Sequence, residues 1–557
     1  MLNRREFHGS LIAALAASVA APRALGAATP PPDAGEVLLN RLTFGANPAS
    51  RDALARLGPE AWLEAQLAAP PGDPALDARL AAARLRIAYE AGDNGEGQNW
   101  DAVDELRPLA SLQADPAKLV MLLDYELAFD YSERTHPAYE VIAASLIRAV
   151  HAEAQLREVM TQFWHDHFNV NATKDADTAI FFPAYDAMLR THALGNFRAM
   201  LGETAKSPAM LNYLGNGESH ASPANENYAR ELLELHTLGE RNYLNDRYKD
   251  WRAVPGAEAG RAEGYIDEDV YETARAFTGW TVGDGRWISE GREAPVTGRF
   301  HYAEAWHDPY QKRILGREFP SHQGPMEDGE QVLDLLAAHP GTARFVTGKI
   351  ARRLLADDPS PDLVEHLAGV FLDASGAEDQ VARVIRALVA HPDFAATPPG
   401  KLRRPFELLA ALYRATGAEI ASEEMGWSWQ LSRAGWWQHE FRPPTGHPDR
   451  AEDWATTTVL ARSVDYALYA HEDWFGATKS DLLSLAPESV RTFGDMIAFW
   501  NERLYGSEDA PEAGMKSFLF AYGASTADAL PEALDDRRHA LGMSLAFAAL
   551  SPAFLYR

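Results

Sequence analysis

A mainly α-helical fold is predicted: a large helical body with long loops and room for a small β-hairpin insertion. Three observations predict it. Most segments repeat their apolar residues, chiefly Ala and Leu, at helical spacing. Runs that alternate polar and apolar residues are few. Polar, Gly-rich breaks at 91–98, 215–224, 252–264, 396–400 and 505–514 punctuate the helical segments.

Taken in order, residues 1–28 read as an export signal of the twin-arginine type. Arg4 and Arg5 are paired with Phe7 two places on, residues 11–20 form a short apolar run, and 24–28 supply small residues for cleavage. The run is too short for a membrane span, and no later stretch approaches the ~18 apolar residues a span needs. The mature chain is therefore expected to be soluble and periplasmic or extracellular. Residues 29–557 are expected to form one helical unit, with a candidate sub-boundary near 395–402.

Helical periodicity is clearest at 59–67, 141–152, 269–277, 329–338 and 380–390. The break at 252–264 reads as an insertion between two motif-bearing helices, and the Gly- and charge-rich stretch 283–298 suits a short hairpin. Residues 335–340 and 387–392 echo each other, each ending in His-Pro. His339 and His391 are placed in the last turn of a helix, where the negative end of the dipole favours them as caps.

The chain holds 52 basic and 80 acidic residues in 557, a formal charge of -28. The export segment itself carries a net +2, so its removal leaves about -30. Such a surface repels phosphate backbones and argues against a nucleic-acid partner. There is no cysteine, which excludes disulfides, thiolate metal sites and a Cys nucleophile.

Residues 225–239 concentrate Arg230, Glu231, Glu234 and His236 on a partly apolar helix that Asn225 or Asn227 can start and Gly239 can end. At ~100° per residue, Tyr228, Leu232 and Leu235 form the buried stripe. Glu231 lies beside it, and His236 falls roughly 140° from Glu231. A carboxylate half-buried beside an apolar stripe has its pKa raised, which suits general acid or base work. The competing reading is an ion pair with an arginine elsewhere.

Four other clusters carry polar chemistry. In 163–171, His167 continues an apolar stripe and faces inward, whereas His165 faces outward. On a continuous helix the two cannot share a metal, but Asn169 and Asn171 suggest that the helix ends here, which leaves that geometry open. In 267–280, Asp267 is the expected N-cap, Val270, Ala274 and Phe277 face inward, and Tyr271, Arg275 and Thr278 share another face. Arg275 can clamp a substrate carboxylate or pair with Glu231, and the pairing is preferred. In 307–312, His307, Asp308 and Lys312 form a polar group on irregular chain, against which stands simple turn formation by Asp308-Pro309. The aromatic group of Trp427, Trp429, Trp436, Trp437 and Trp454 reads as core or loop packing.

Taken together, these segments resemble the bacterial family catalogued as domain of unknown function 1800. The resemblance rests on residues 38–45 and 57–67, on Phe163-Trp164-His165-Asp166-His167-Phe168-Asn169-Val170, on the 225–239 helix and on 274–280. His307-Asp308 with Lys312 and residues 550–557 complete it. It departs at 443–448, where the family's usual Trp after the Gly is His447. The resemblance implies an exported, mainly helical protein, often encoded beside a second exported family, and supplies no reaction, cofactor or catalytic residues.

The residues leave open whether the chain is an enzyme. The first reading is a hydrolase-like enzyme on an extracellular or envelope polymer. In it Glu231 is the acid or base, His167 is its partner or a metal ligand, Arg230 or Arg275 positions an anionic group, and His307 and Asp308 stand at the mouth. No Gly-x-Ser-x-Gly or His-Glu-x-x-His motif is present. The second reading is a non-catalytic binding or assembly protein with a co-exported partner. The third is a metal- or haem-dependent oxidoreductase, suggested by His167 and His236. Cofactor and oligomeric state are not legible.

Overall fold

The structure, a computed structural model, describes residues 33–68, 72–95, 97–421, 423–469, 478–507 and 512–557. The export segment at 1–28 lies outside the described residues. The chain is mainly helical, and each sheet among the described residues is a two-stranded antiparallel pair. Among those residues no helix is long and apolar enough to cross a membrane.

Helix Tyr131–His151 is the hub. Asp130 caps its start by accepting the Ser132 N–H at 2.8 Å, so the helix begins ten residues before the clearest periodicity. Fifteen of its 21 residues are buried, as expected of a helix surrounded on all sides. Around it pack helices Phe182–His192, Pro74–Ala82 and Pro405–Thr416, together with strand Arg84–Tyr89. Every residue of Pro405–Thr416 is buried. One continuous cluster of buried apolar side chains runs from Leu38 to Leu555. The end of the chain returns to residues 401–403, where Arg557 N–H donates to the Lys401 carbonyl at 2.9 Å and Arg403 N–H to that of Leu555 at 2.8 Å.

The periodic segments form helices Pro59–Ala68, Asp267–Ala276, Glu327–Ala337 and Gln380–Ala390. Three cap assignments change. His339 and His391 do not serve the helix they follow. Each is the N-cap of the next helix, its Nδ1 accepting the N–H of Gly341 at 2.9 Å or Asp393 at 3.2 Å. The Pro that follows each His sits at the first helical turn, where it has no N–H to leave unpaired. Ile266, not Asp267, is the N-cap of Asp267–Ala276, and the Asp269 carboxylate accepts the Ile266 N–H at 2.9 Å.

The stretch expected to hold a hairpin holds two. Trp280–Asp284 pairs with Val296–Tyr302, Trp280 opposite Tyr302 and Asp284 opposite Val296, and at the tip Trp287–Ser289 pairs with Arg292–Glu293. Trp280 and Val282 are buried and anchor the base. At the tip Trp287 stands exposed.

Candidate functional site

The helix opening at Asn225 is α-helical only over Glu226–Glu231. Asn225 caps it, its Oδ1 accepting the Asn227 N–H at 3.0 Å. Residues Leu232–Thr237 then form a π-turn, in which Leu238 N–H donates to Leu233 five residues back at 2.9 Å and the Thr237 hydroxyl donates to the Leu232 carbonyl at 2.6 Å. The extra residue in the turn rotates everything after it relative to an α-helical count. Tyr228 and Leu232 are buried as expected, but Leu235 is partly exposed, while Leu233, His236 and Thr237 are fully buried. The helix stops at Gly239, whose φ of +87° and contact with the Phe345 ring leave no room for a side chain.

Glu231 is half-buried. Burial raises its carboxyl pKa, the neighbouring Glu234 adds to the rise, and Arg230 opposes it. The expected pairing with Arg275 does not form. Arg230 lies 3.6 Å from both Glu226 and Asp267.

His167 and His236 meet in the interior. The Nε2 of His167 lies 3.1 Å from the His236 carbonyl oxygen, and the ring centroids are 6.3 Å apart. Burial and the nearby Lys349 push both imidazoles towards the neutral form, His236 to about 3. Burial also lowers Lys349, to about 8. His165, expected on the outer face, is buried instead and binds Asp186 Oδ1 at 3.0 Å, with Arg148 on the other carboxylate oxygen at 2.6 Å. A carboxylate on helix Phe182–His192 thus supplies the polar partner that lets His165 enter the core.

The loop at 307–312 is a closed ion-pair network. Asp308 receives a two-pronged bond from Arg275 at 2.7 and 3.0 Å, and Arg275 also holds Glu272 at 2.8 Å. His307 Nε2 lies 3.3 Å from Asp328, which also accepts the buried Lys312 ammonium at 2.5 Å. Thr278 Oγ1 accepts the Asp308 N–H at 2.9 Å, so Arg275 and Thr278 do share a face, and it faces Asp308. These partners hold the loop to helix Asp267–Ala276.

An open cleft of about 600 Å³ lies elsewhere. Asp177, Glu218, His220, Asp284, Arg286, Trp287 and Trp306 line it, with Leu123 and Gly285. None of Glu231, His167, Arg230, Arg275, His307 or Asp308 is among its lining residues. Local bonds place several of the lining groups. Arg286 grips Asp284 at 2.5 Å and reaches the Gly217 carbonyl at 2.7 Å, tying the hairpin to the turn that carries Glu218. Asn212 donates to the Asp177 carbonyl at 2.9 Å. The His220 ring lies on Trp306 with centroids 4.0 Å apart, and Trp306 Nε1 donates to the Ile288 carbonyl at 2.7 Å.

The carboxylates of this cleft are in different environments. Asp177 has its pKa raised by burial first and then by Asp175 and Asp284, with Arg286 and Lys174 opposing. Asp284 is ion-paired. Trp287 is 63% exposed at the hairpin tip, and Tyr125 and Tyr131, at 60% and 56%, lie near enough to Asp175 and Asp177 to feel their charge. No single motif announces this cleft. Its parts come from residues 123, 177, 218–220, 284–287 and 306, and the one local signal is the Trp in a Gly- and charge-rich hairpin.

Among the described residues no group of three or more His, Asp or Glu side chains is placed to hold a metal ion. In comparisons with known proteins, the model of a family described as "Protein of unknown function (DUF1800)" matches residues 37–556. No curated protein and no solved structure matches.

Proposed function

The chain belongs to the DUF1800 family, whose description names no reaction, and from the chain's own geometry we propose an exported, hydrolase-like enzyme acting on an extracellular or envelope glycan. The observation that carries this reading is the open cleft where Asp177, biased towards its protonated form, stands near the ion-paired Asp284 beside an exposed Trp287. A carboxyl whose pKa is raised, beside a carboxylate held by an arginine, supplies an acid and an anion in one cleft. The exposed indole ring of Trp287 suits the apolar face of a sugar ring.

In the proposed reaction the Asp177 carboxyl donates its proton to the glycosidic oxygen as the C–O bond breaks. The Asp284 carboxylate, held by Arg286, stabilises the positive charge that develops on the sugar carbon. Water adds to that carbon and gives its proton to the Asp177 carboxylate, which restores the acid. Glu231, His167, Arg230, Arg275, His307 and Asp308 act in this reading through packing and ion pairing.

The test is release of new reducing ends from a panel of envelope and extracellular glycans by the mature protein. Trp287→Ala is expected to raise KM roughly three- to tenfold with kcat little changed, the loss of one stacking contact. Absence of both cleavage and retention across the panel would overturn the proposal. Retention without cleavage would favour the second reading, a non-catalytic binding protein using the same cleft. Export is proposed through residues 1–28, and sequencing of the mature amino terminus tests it: a chain still beginning at Met1 outside the cytoplasm would count against cleavage.

A further inference from the structure

We propose that the glycan taken by the open cleft is an amino-sugar polymer with free amines, an ammonium group pairing with Glu218 while a ring lies on Trp287; this rests on the reading of the cleft as a glycan site. Three of the lining groups are carboxylates, Asp177, Glu218 and Asp284, and Arg286 is the one arginine or lysine among the described lining residues. The charge of the ligand follows from which of these groups the protein already engages.

Arg286 is fully engaged. An arginine has five N–H donors, and the protein supplies an acceptor for each. Nε donates to Asp284 Oδ1 at 2.9 Å. One terminal nitrogen donates to Asp284 Oδ2 at 2.5 Å and reaches Asn212 Oδ1 at 3.5 Å. The other donates to the Gly217 carbonyl at 2.7 Å and to the Thr281 hydroxyl at 3.2 Å. No donor is left for a carboxylate, sulfate or phosphate on a sugar. Lys174, the other cation that acts on Asp177, is also engaged. Its ammonium lies 3.3 Å from Asp175 and donates to the carbonyls of Asn212 and Tyr213 at 3.1 and 3.4 Å.

Glu218 is the opposite case. It is exposed, and among the described residues no hydrogen bond or ion pair holds its carboxylate. Its backbone, in contrast, is fixed. The Glu218 carbonyl accepts the His220 Nδ1–H at 2.6 Å, the Gly217 carbonyl also accepts the Thr281 hydroxyl at 2.5 Å, and the Ser219 carbonyl accepts the Gly279 N–H at 3.1 Å. A free carboxylate on a braced turn is a ready partner for an ammonium. Asp284 and Arg286 cancel, so Glu218 and ionised Asp177 leave the lining negative, the sign of the whole chain at -28. Such a cleft draws in a polycation and repels a polyanion. Trp287, 63% exposed, offers its face both to a pyranose ring and to an ammonium.

The experiment measures retention of the full mature protein on three immobilised chains of similar length: polyglucosamine with protonated amines, its N-acetylated form, and a polyuronate. At low salt the amino chain should bind about tenfold more tightly than the acetylated one, and the uronate chain should not bind. Added salt should shrink the preference. Glu218→Lys should cut the preference for amino over acetylated chain about fivefold, and Glu218→Gln about twofold should the reversed charge disturb the turn. Glu60→Lys makes the same charge change on an exposed residue outside the lining, and should cut the preference less than about twofold. Trp287→Ala should weaken both the amino and the acetylated chain, and so reports the glycan reading apart from the charge. Equal falls in Glu218→Lys and Glu60→Lys would assign the preference to the charge of the whole chain and overturn the inference. Acetylated or uronate chains bound as tightly as the amino chain would overturn it too, and the glycan reading would survive either result. No retention of any of the three chains would overturn the inference together with the reading beneath it.

Discussion

Asp177→Asn is expected to lower kcat on a cleaved glycan by about 10²- to 10⁴-fold, the range for loss of a positioned general acid, with KM little changed. The substitution keeps the side-chain volume, and Asp177 is only partly buried, so the fold should tolerate it. The pH profile gives a sharper check. Burial, Asp175 and Asp284 raise the Asp177 pKa. Only the protonated carboxyl can donate, so activity should fall as pH rises through that raised value, and this alkaline limb should be absent in Asp177→Asn. Asp284→Asn removes one of the charges that raises Asp177 and frees Arg286, which lowers it. In that variant the alkaline fall of the remaining activity should begin at lower pH than in the wild type. A limb that stays in place in both variants would rule out Asp177 as the acid.

Glu407→Gln is expected to destabilise the protein by about 3–5 kcal/mol, the cost of breaking a buried ion pair on one side. Glu407 sits near the start of helix Pro405–Thr416 and is 2% exposed. Its carboxylate accepts bonds from Arg353 and from Arg404, the latter at 2.9 Å, and Arg557 lies 3.6 Å away. Burial alone would raise its pKa, but the three guanidinium groups outweigh burial and hold it well below the usual carboxylate range. The remaining carboxylates, Asp166 at 2.9 Å from Arg404 and Asp449 at 3.5 Å from Arg353, cannot neutralise the cluster without Glu407. A group whose folded pKa is depressed contributes stability at neutral pH that is lost as pH falls towards that depressed value. The Gln variant should therefore lose less stability on acidification than the wild type does. Urea denaturation at neutral and acidic pH measures both effects, and a difference below about 1 kcal/mol at neutral pH would show that the network contributes little.

The same network holds the loop at 443–448 in place. His447 stacks on Trp436 with centroids 4.1 Å apart, its Nδ1 binds Asp166 at 3.0 Å, and its Nε2 accepts the Trp437 N–H at 3.1 Å. The loop approaches so closely at Gly446, with φ +69°, that an added Cβ would meet the Asp166 backbone. Of the Trp residues in this region, Trp427, Trp436 and Trp454 are buried, as packing residues should be, while Trp429 and Trp437 remain exposed.

Much of this chain could be read from order alone. Helical periodicity located Pro59–Ala68 and Gln380–Ala390 to within a residue, and the Gly- and charge-rich stretch did form a hairpin. Family membership followed from short motifs spread along the chain. These features depend on residues within a turn or two of each other, so spacing and local backbone preference suffice to specify them. Tertiary structure decided the rest. Burial of His236 depends on a π-turn that an α-helical count does not contain. The inward turn of His165 depends on Asp186, twenty-one residues away, and Arg275 chose Asp308 over Glu231 because the loop at 307–312 folds back onto its helix. The cleft assembles Asp177, Glu218, Asp284 and Trp306 from four separate segments. Which charge meets which is set by distances between segments, and a linear sequence carries spacing along the chain but not across it.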